Sequence, residues 1–174
     1  RRLEHLERIR KFCLMDDLFM TVCFDHNIPC TQLVLRILLN REDLIVTRVS
    51  TQEGVDNFTK RSVCLDILAV DSAGKRYDIE IQRADRGAGR KRARYHSSLL
   101  DADSLAQGQD FEQLPDTYVI FITERDVLGK GLPMYRVERS ILDTGERFED
   151  GSHILYVNGS YREDTALGRL MHDF

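Results

Sequence analysis

The segment Ser62-Val-Cys-Leu-Asp66-Ile-Leu-Ala-Val-Asp71-Ser-Ala-Gly-Lys75-Arg-Tyr-Asp-Ile-Glu80-Ile-Gln82 reads, on its own chemistry, as a β-hairpin. Asp71-Ser-Ala-Gly74 has aspartate at the first turn position and glycine where a left-handed residue is needed. That is a three-residue loop, a type I turn closed by a glycine bulge. The loop pairs Asp71 with Lys75 and therefore sets Asp66 opposite Glu80. Directly opposed residues share a face, with Cβ atoms roughly 5 Å apart. A loop one residue shorter or longer would send the two carboxylates to opposite faces. Along the second strand Asp78, Glu80 and Gln82 alternate with Tyr77, Ile79 and Ile81, so one face is polar and the other apolar. Two like charges this close repel unless a cation lies between them or one is protonated. A Mg²⁺ or Mn²⁺ ion satisfies that condition. The plainer reading of the same residues is the wet face of an amphipathic hairpin.

The chain turns basic directly after the hairpin. Arg83-Ala-Asp-Arg86-Gly-Ala-Gly-Arg90-Lys91-Arg92-Ala-Arg94-Tyr95 carries six cations against Asp85, in a chain of net charge −4. A local sign opposite to the global one marks a basic patch, and phosphate is its natural partner. A helix is expected from about Arg90 to Ala106. Cations on its first turn oppose the macrodipole, so something other than helix stability favours them. Tyr95, Leu99, Ala102 and Ala106 project within about 60° of arc as the stripe that packs on the sheet. Arg90, Arg94 and Asp101 flank it. Lys91 stands at its edge, in reach of the strand bearing Glu80 and Gln82. A solvated face with a few ion pairs is the alternative for such a run.

The 174 residues, 42% hydrophobic and 31% charged, suit one globular domain. Residues 1–174 are read that way, with a core over about 17–125 and a strand-and-loop extension over about 126–174. The Arg-Arg start and the Met171-His-Asp-Phe174 end suggest a piece of a longer chain. The apolar runs are too short to span a membrane, and a cytoplasmic setting is expected. Cys13, Cys23, Cys30 and Cys64 have no metal-binding spacing and read as small buried hydrophobes in a reducing compartment. His5, His26, His96, His153 and His172 are dispersed and receive no catalytic role.

Outside the hairpin, Leu3 to about Cys23 has helical spacing, and a second helix runs from Thr31, as N-cap, to Leu39. Leu44–Val49 is strand-like. Asp116–Thr123 is a buried strand entered through Leu114-Pro115. Shorter strands are expected near Met134–Val137 and His153–Val157, and a helix from about Thr165. Gly129-Lys-Gly131 lacks the spacing of a P-loop.

This order, αβββαβ with a central mixed sheet flanked by helices, resembles the restriction-endonuclease-like core of the PD-(D/E)xK nucleases. The similarity is closer still to the bacterial PD-(D/E)xK nuclease family transposases, the recombination-promoting nucleases. Arg61–Ile67, Tyr77–Gln82, Arg92–Tyr95, Leu114–Ile122, Gly129–Pro133 and Tyr156–Asn158 carry it, in family order. The resemblance implies that Asp66 and Glu80 are metal ligands, completed by the Ile81 carbonyl and by an acid from the first helical region. Asp17 is the candidate for that acid, ahead of Asp16 and Glu42. Gln82 stands where the motif lysine is expected, and Lys91, with Tyr95 in support, could substitute for it.

The function expected is a Mg²⁺- or Mn²⁺-dependent DNA endonuclease with Asp66, Glu80, Gln82 and Lys91 at the reacting centre. Arg83, Arg86, Arg90, Lys91 and Arg94 would meet phosphates. RNA is not distinguished from DNA, and a homodimer would suit double-strand cutting. The alternative is a nucleic-acid-binding or regulatory module that keeps the fold without the chemistry.

Overall fold

A computed structural model of the chain describes residues 13–55, 61–83 and 85–174. Its elements are α1 (Asp17–Phe24), α2 (Ile28–Leu39), β1 (Val46–Val55), β2 (Val63–Asp71), β3 (Arg76–Gln82), α3 (Arg90–Ser104), β4 (Thr117–Thr123), β5 (Met134–Val137), β6 (Ser152–Asn158) and α4 (Ala166–Asp173). The αβββαβ order expected from the sequence is present. The strands form one mixed sheet in the order β1-β2-β3-β4-β6-β5. β1, β2 and β3 are an antiparallel meander, and α3 carries the chain over to β4, parallel to β3. β6 adds in parallel to β4, and β5 pairs antiparallel to β6.

The turn chemistry sets the register as expected. Asp71 N–H donates to the Lys75 carbonyl at 3.1 Å, and Gly74, at φ +81°, donates to the Asp71 carbonyl at 3.0 Å. Asp71 Oδ1 accepts from the Ala73 and Lys75 amides, both at 2.9 Å, which fixes the loop from inside. The ladder then runs Val70↔Arg76 to Ile67↔Ile79, and one more step brings Asp66 opposite Glu80.

Helices cover both faces. Met20 and Phe24 of α1, Val34, Leu35 and Leu38 of α2 and Met171 of α4 pack on Ile67, Ala69, Tyr77, Ile79, Ile81, Ile120 and Ile122. On the other face Ala93, Leu99 and Leu100 of α3 meet Leu65, Leu68, Val119, Phe121 and Tyr156. The polar face of β3 is thus not wet: Asp78 and Glu80 are fully buried under α3. The face of α3 turned to the sheet is also rotated from the expected stripe. Ala93, His96, Ser97, Leu99 and Leu100 are buried, whereas Ala102 and Ala106 are exposed. The reason is polar: His96 bonds Asp78 and Arg92 bonds Glu80 on β3, and hydrogen bonds that satisfy buried carboxyl groups outrank two alanines in orienting a helix. Arg76, itself buried, pairs with Asp103 at 2.7 Å and ties the far end of α3 to the start of β3.

Several boundaries differ from expectation. α2 begins at Ile28 because Asn27, not Thr31, is the N-cap, its side chain accepting from Cys30 N–H at 3.2 Å. β1 runs to Val55 through Gln52 at φ +52°. The expected first helix begins only at Asp17, with residues 13–16 in a turn and Asp16 at the N-cap position, and residues 1–12, with His5, lie outside the described residues. Cys64 is exposed, and Cys13, Cys23 and Cys30 are half-buried, so they are not the core residues expected.

The loop is the point on which the register turns. Gly74→Ala, which forces a Cβ into the left-handed region, should cost about 1 kcal/mol. Thermal unfolding should record it as a fall of roughly 2–4 °C.

Candidate active site at the fork between two strands

Beyond Ile67 and Ile79 the backbones of β2 and β3 stop pairing, and side chains take over. Asp66 N–H donates to Glu80 Oε1 at 3.1 Å, and Ile81 N–H donates to Asp66 Oδ2 at 2.9 Å. Each carboxylate caps a backbone donor of the opposite strand. The Asp66 side chain reaches a cavity of about 410 Å³ lined also by Asp17, Thr21, Gln52, Ile81, Gln82 and Arg83. Burial pushes its carboxyl above the ordinary aspartate range and nearby Asp17 adds to the rise, while the Ile81 amide and Arg92 oppose it.

Glu80 lies behind Asp66 with no exposure. Arg92 Nη2 donates to its Oε2 at 2.8 Å. The same guanidinium donates through Nη1 to the Gly87 carbonyl at 3.0 Å and to Gln82 Oε1 at 3.4 Å. Its Nε donates to His96 Nε2 at 3.2 Å. An Nε2 that accepts leaves the imidazole proton on Nδ1, which lies 2.8 Å from Asp78 Oδ2. Burial, and secondarily Arg92, lower the His96 pKa, consistent with a neutral ring. Burial first, then the charge of Asp66 and, for Glu80, that of Asp78, push the Asp78 and Glu80 carboxyls up to about 8, while the hydrogen bond from Glu80 opposes the rise at Asp78. They titrate as a pair that keeps a proton near neutrality. Phe121 lies under Arg92, its ring centroid 6.0 Å from the guanidinium carbon.

A second concavity, of about 1140 Å³, opens on the outer side of Arg92, between the start of β2 and α3. Arg61, Lys91 and Arg94 line it, all exposed and none in an ion pair among the described residues. Tyr95, half-buried, donates its hydroxyl to the Arg61 carbonyl and closes one wall.

The expected residues therefore separate into three places. Asp66, Gln82, Ile81 and Asp17 share the inner cavity, and Glu80 stands behind it. Lys91 and Arg94 line the outer groove and Arg90 is exposed. Arg92, not Lys91, is the α3 cation that reaches Glu80 and Gln82. Arg83 is engaged by Asp16 at 2.6 Å, which removes Asp16 as a free ligand. Glu42 is exposed and lines neither concavity, and the Arg86 side chain is outside the described part. Sequence reasoning missed Arg92 and gave His96 no role. Their spacing of four residues on one helix, Arg92-x-x-x-His96, was the available signal.

The oxygen donors of the inner cavity suit a hard divalent cation. Asp66 and Asp17 bring two carboxylates to it, and the lining cation Arg83 is neutralised by Asp16. Asp78, Glu80 and His96 also hold one donor atom each within 4.8 Å of one another. An ion there would have to compete with the His96–Asp78 and Arg92–Glu80 bonds. Asp78 Oδ1, buried without a partner, is the free donor of that set.

Residues 35–160 match the model of the PD-(D/E)XK nuclease family transposases. No curated protein and no solved structure gives a match. The matched range holds Asp66, Glu80, Gln82, Arg92 and His96, with Asp17 outside it. PD-(D/E)XK nucleases generally use divalent metals, in keeping with the acidic cluster. Among the described residues no helix is long and apolar enough to cross a membrane.

The raised carboxyls give the metal-free protein a defined pH response. Asp78 and Glu80 ionise near 8 when folded and near 4 when unfolded. Their stabilisation is complete below pH 4 and is lost as pH rises through 8. His96 works in the opposite direction only while the unfolded imidazole still holds protons, around pH 6.5 and below. Thermal midpoints should therefore fall between pH 6.5 and pH 8.5 in the presence of chelator. Asp78→Asn should flatten that slope.

Proposed function

The chain belongs to the PD-(D/E)XK nuclease family transposases, and on that premise we propose that it is a divalent-metal-dependent DNA endonuclease hydrolysing phosphodiester bonds. One observation carries the reading. Two acidic side chains, Asp66 and Glu80, interlock at a strand fork whose mouth is an acidic, oxygen-lined cavity. Lys91 and Arg94, in no ion pair among the described residues, lie along the neighbouring groove.

Asp66, with Asp17 across the cavity, would hold a Mg²⁺ or Mn²⁺ ion, and Glu80 and the Ile81 carbonyl would complete the set. When bound, such an ion supplies Lewis-acid activation of water and charge neutralisation at the leaving oxygen. Gln82 is neutral and takes no proton near pH 7. Its Oε1 is occupied by Arg92, which turns its amide N–H groups outward as donors for a phosphate oxygen. Glu80 holds the Asp66 amide, and so holds Asp66 in place, without exposure to solvent. Lys91 and Arg94, joined by exposed Arg90, would neutralise flanking phosphates without reading sequence.

The setting that the family suggests is DNA recombination in a bacterial cytoplasm, with a homodimer where both strands are cut. The rival reading, a nucleic-acid-binding module without chemistry, draws on Gln82 and on the enclosure of Glu80. Turnover separates the two.

Asp66→Asn and Glu80→Gln keep hydrogen-bonding shape and remove charge. Each should lower Mg²⁺-dependent cleavage of duplex DNA about a thousand-fold while circular dichroism stays that of wild type. Equal cleavage by these variants would refute the assignment. Lys91→Ala combined with Arg94→Ala should instead weaken DNA binding. The slope of log affinity against log salt should fall by roughly 2.

A further inference from the structure

The inner site has a charge imbalance that Gln82 does nothing to correct. Asp78 and Glu80 are buried under α3 and feel the Asp66 carboxylate at the fork, and the residue two positions beyond Glu80 is a neutral amide. Among the described residues, the one cationic side chain bonded to Glu80 is Arg92. Lys91, its chain neighbour, faces the outer groove, and Arg83 is held by Asp16.

Resting on the nuclease reading, we propose that Arg92 supplies from the crossover helix the positive charge that position 82 lacks. It acts as the positioning residue for Glu80 and Gln82, and the Asp78–His96 pair sets its direction. Four observations converge on this. The guanidinium uses all three of its nitrogens, on His96, on Gly87 and Gln82, and on Glu80. A lysine ammonium could match the charge but not this fork of directed donors. Arg92 and His96 are four residues apart and so lie on one helix face, and His96 is pinned to β3 through Asp78. Gly87 makes room for the arrangement: a Cβ there would fall 1.8 Å from Gln82 Oε1. The aromatic floor of Phe121 completes the seat.

Charge relocation has a specific consequence. Position 82 lies two residues beyond Glu80 on one strand, so its side chain points to the same face. A lysine at 82 should reach the volume that an absent Arg92 guanidinium leaves. The experiment compares Arg92→Ala, Arg92→Lys, His96→Asn and the double variant Gln82→Lys/Arg92→Ala. The readouts are kcat and KM on duplex DNA with Mg²⁺, and the thermal midpoint of the metal-free protein. Arg92→Ala should lose about a hundred-fold in kcat with KM within about twofold, since a positioning residue acts after binding. Its midpoint, read at pH 9 where Glu80 is ionised, should fall by about 8 °C, because the buried carboxylate loses its counter-charge. Arg92→Lys and His96→Asn should each lie between it and wild type. The double variant should recover at least about tenfold in kcat and half of the midpoint.

Wild-type kcat and midpoint in Arg92→Ala would overturn the proposal. So would losses in Arg92→Ala that Gln82→Lys fails to restore, since a packing role needs no charge at 82. If the wild-type protein cleaves no nucleic acid, the nuclease reading fails by itself. The midpoints still decide the role of Arg92, through recovery or its absence in the double variant.

Discussion

Two hydrogen bonds at the parting of β2 and β3 are the constraint on which the site depends. A paired ladder would have satisfied the Asp66 and Ile81 amides with backbone carbonyls. Instead Glu80 Oε1 and Asp66 Oδ2 accept them, so the strands can separate without stranding a buried donor, which would cost about 1–3 kcal/mol each. The carboxylates are therefore part of the fold before they are part of any chemistry. Their spacing is fixed by backbone atoms rather than by side-chain packing, and this gives a reacting centre its rigidity. The fork also sets where a substrate could approach, since the inner cavity opens at the same point.

Closing the other face of the sheet with α3 puts acidic groups out of water, which is unfavourable unless they are paired or neutralised. The chain uses both routes. Arg92 pairs with Glu80, His96 bonds Asp78, and burial raises both carboxyls so that a proton stays with them near neutrality. Arg76 and Asp103 bind the other end of α3 to the same strand. The helix is thus held on β3 by charge at both ends and by Ala93, Leu99 and Leu100 between them. A helix whose intrinsic face is weakly apolar can sit accurately on a sheet because its polar contacts are directional.

Much of this was legible in the chain, for identifiable reasons. Asp71-Ser-Ala-Gly74 admits few turn geometries, and the turn type settles the register, so the opposition of Asp66 and Glu80 came from local chemistry alone. Strand β4, an unbroken apolar run, was equally plain. The orientation of α3 was not legible. Tyr95, Leu99, Ala102 and Ala106 make a reasonable apolar stripe, but the true face contains an arginine and a histidine whose partners lie on another element. No periodicity reports that a charged residue is buried when its counter-charge is distant in sequence. The same blindness exchanged Lys91 for Arg92: both lie at the start of one helix, and one step of about 100° separates the groove from the carboxylates. Asn27 displaced Thr31 as the α2 cap because Pro29 is tolerated in the first turn, a choice that the proline alone leaves open.

Arg92 belongs to two compartments. It lines the outer groove with Lys91 and Arg94, and it bonds Glu80 in the interior. A phosphate drawn into that groove by Lys91 and Arg94 would meet a guanidinium already committed to a carboxylate. Competition for Arg92 would then couple occupancy of the groove to the state of Glu80, and linkage makes such coupling reciprocal. A lysine at position 82 would offer no such path, because its stem would rise from the strand that carries the carboxylate. Placing the charge on α3 instead connects the acidic centre to the surface where the negative backbone of a nucleic acid would lie. On this argument the glutamine in the motif is a relocation of charge rather than a loss of it, and Asp78 and His96 are the residues that keep the relocated charge in place.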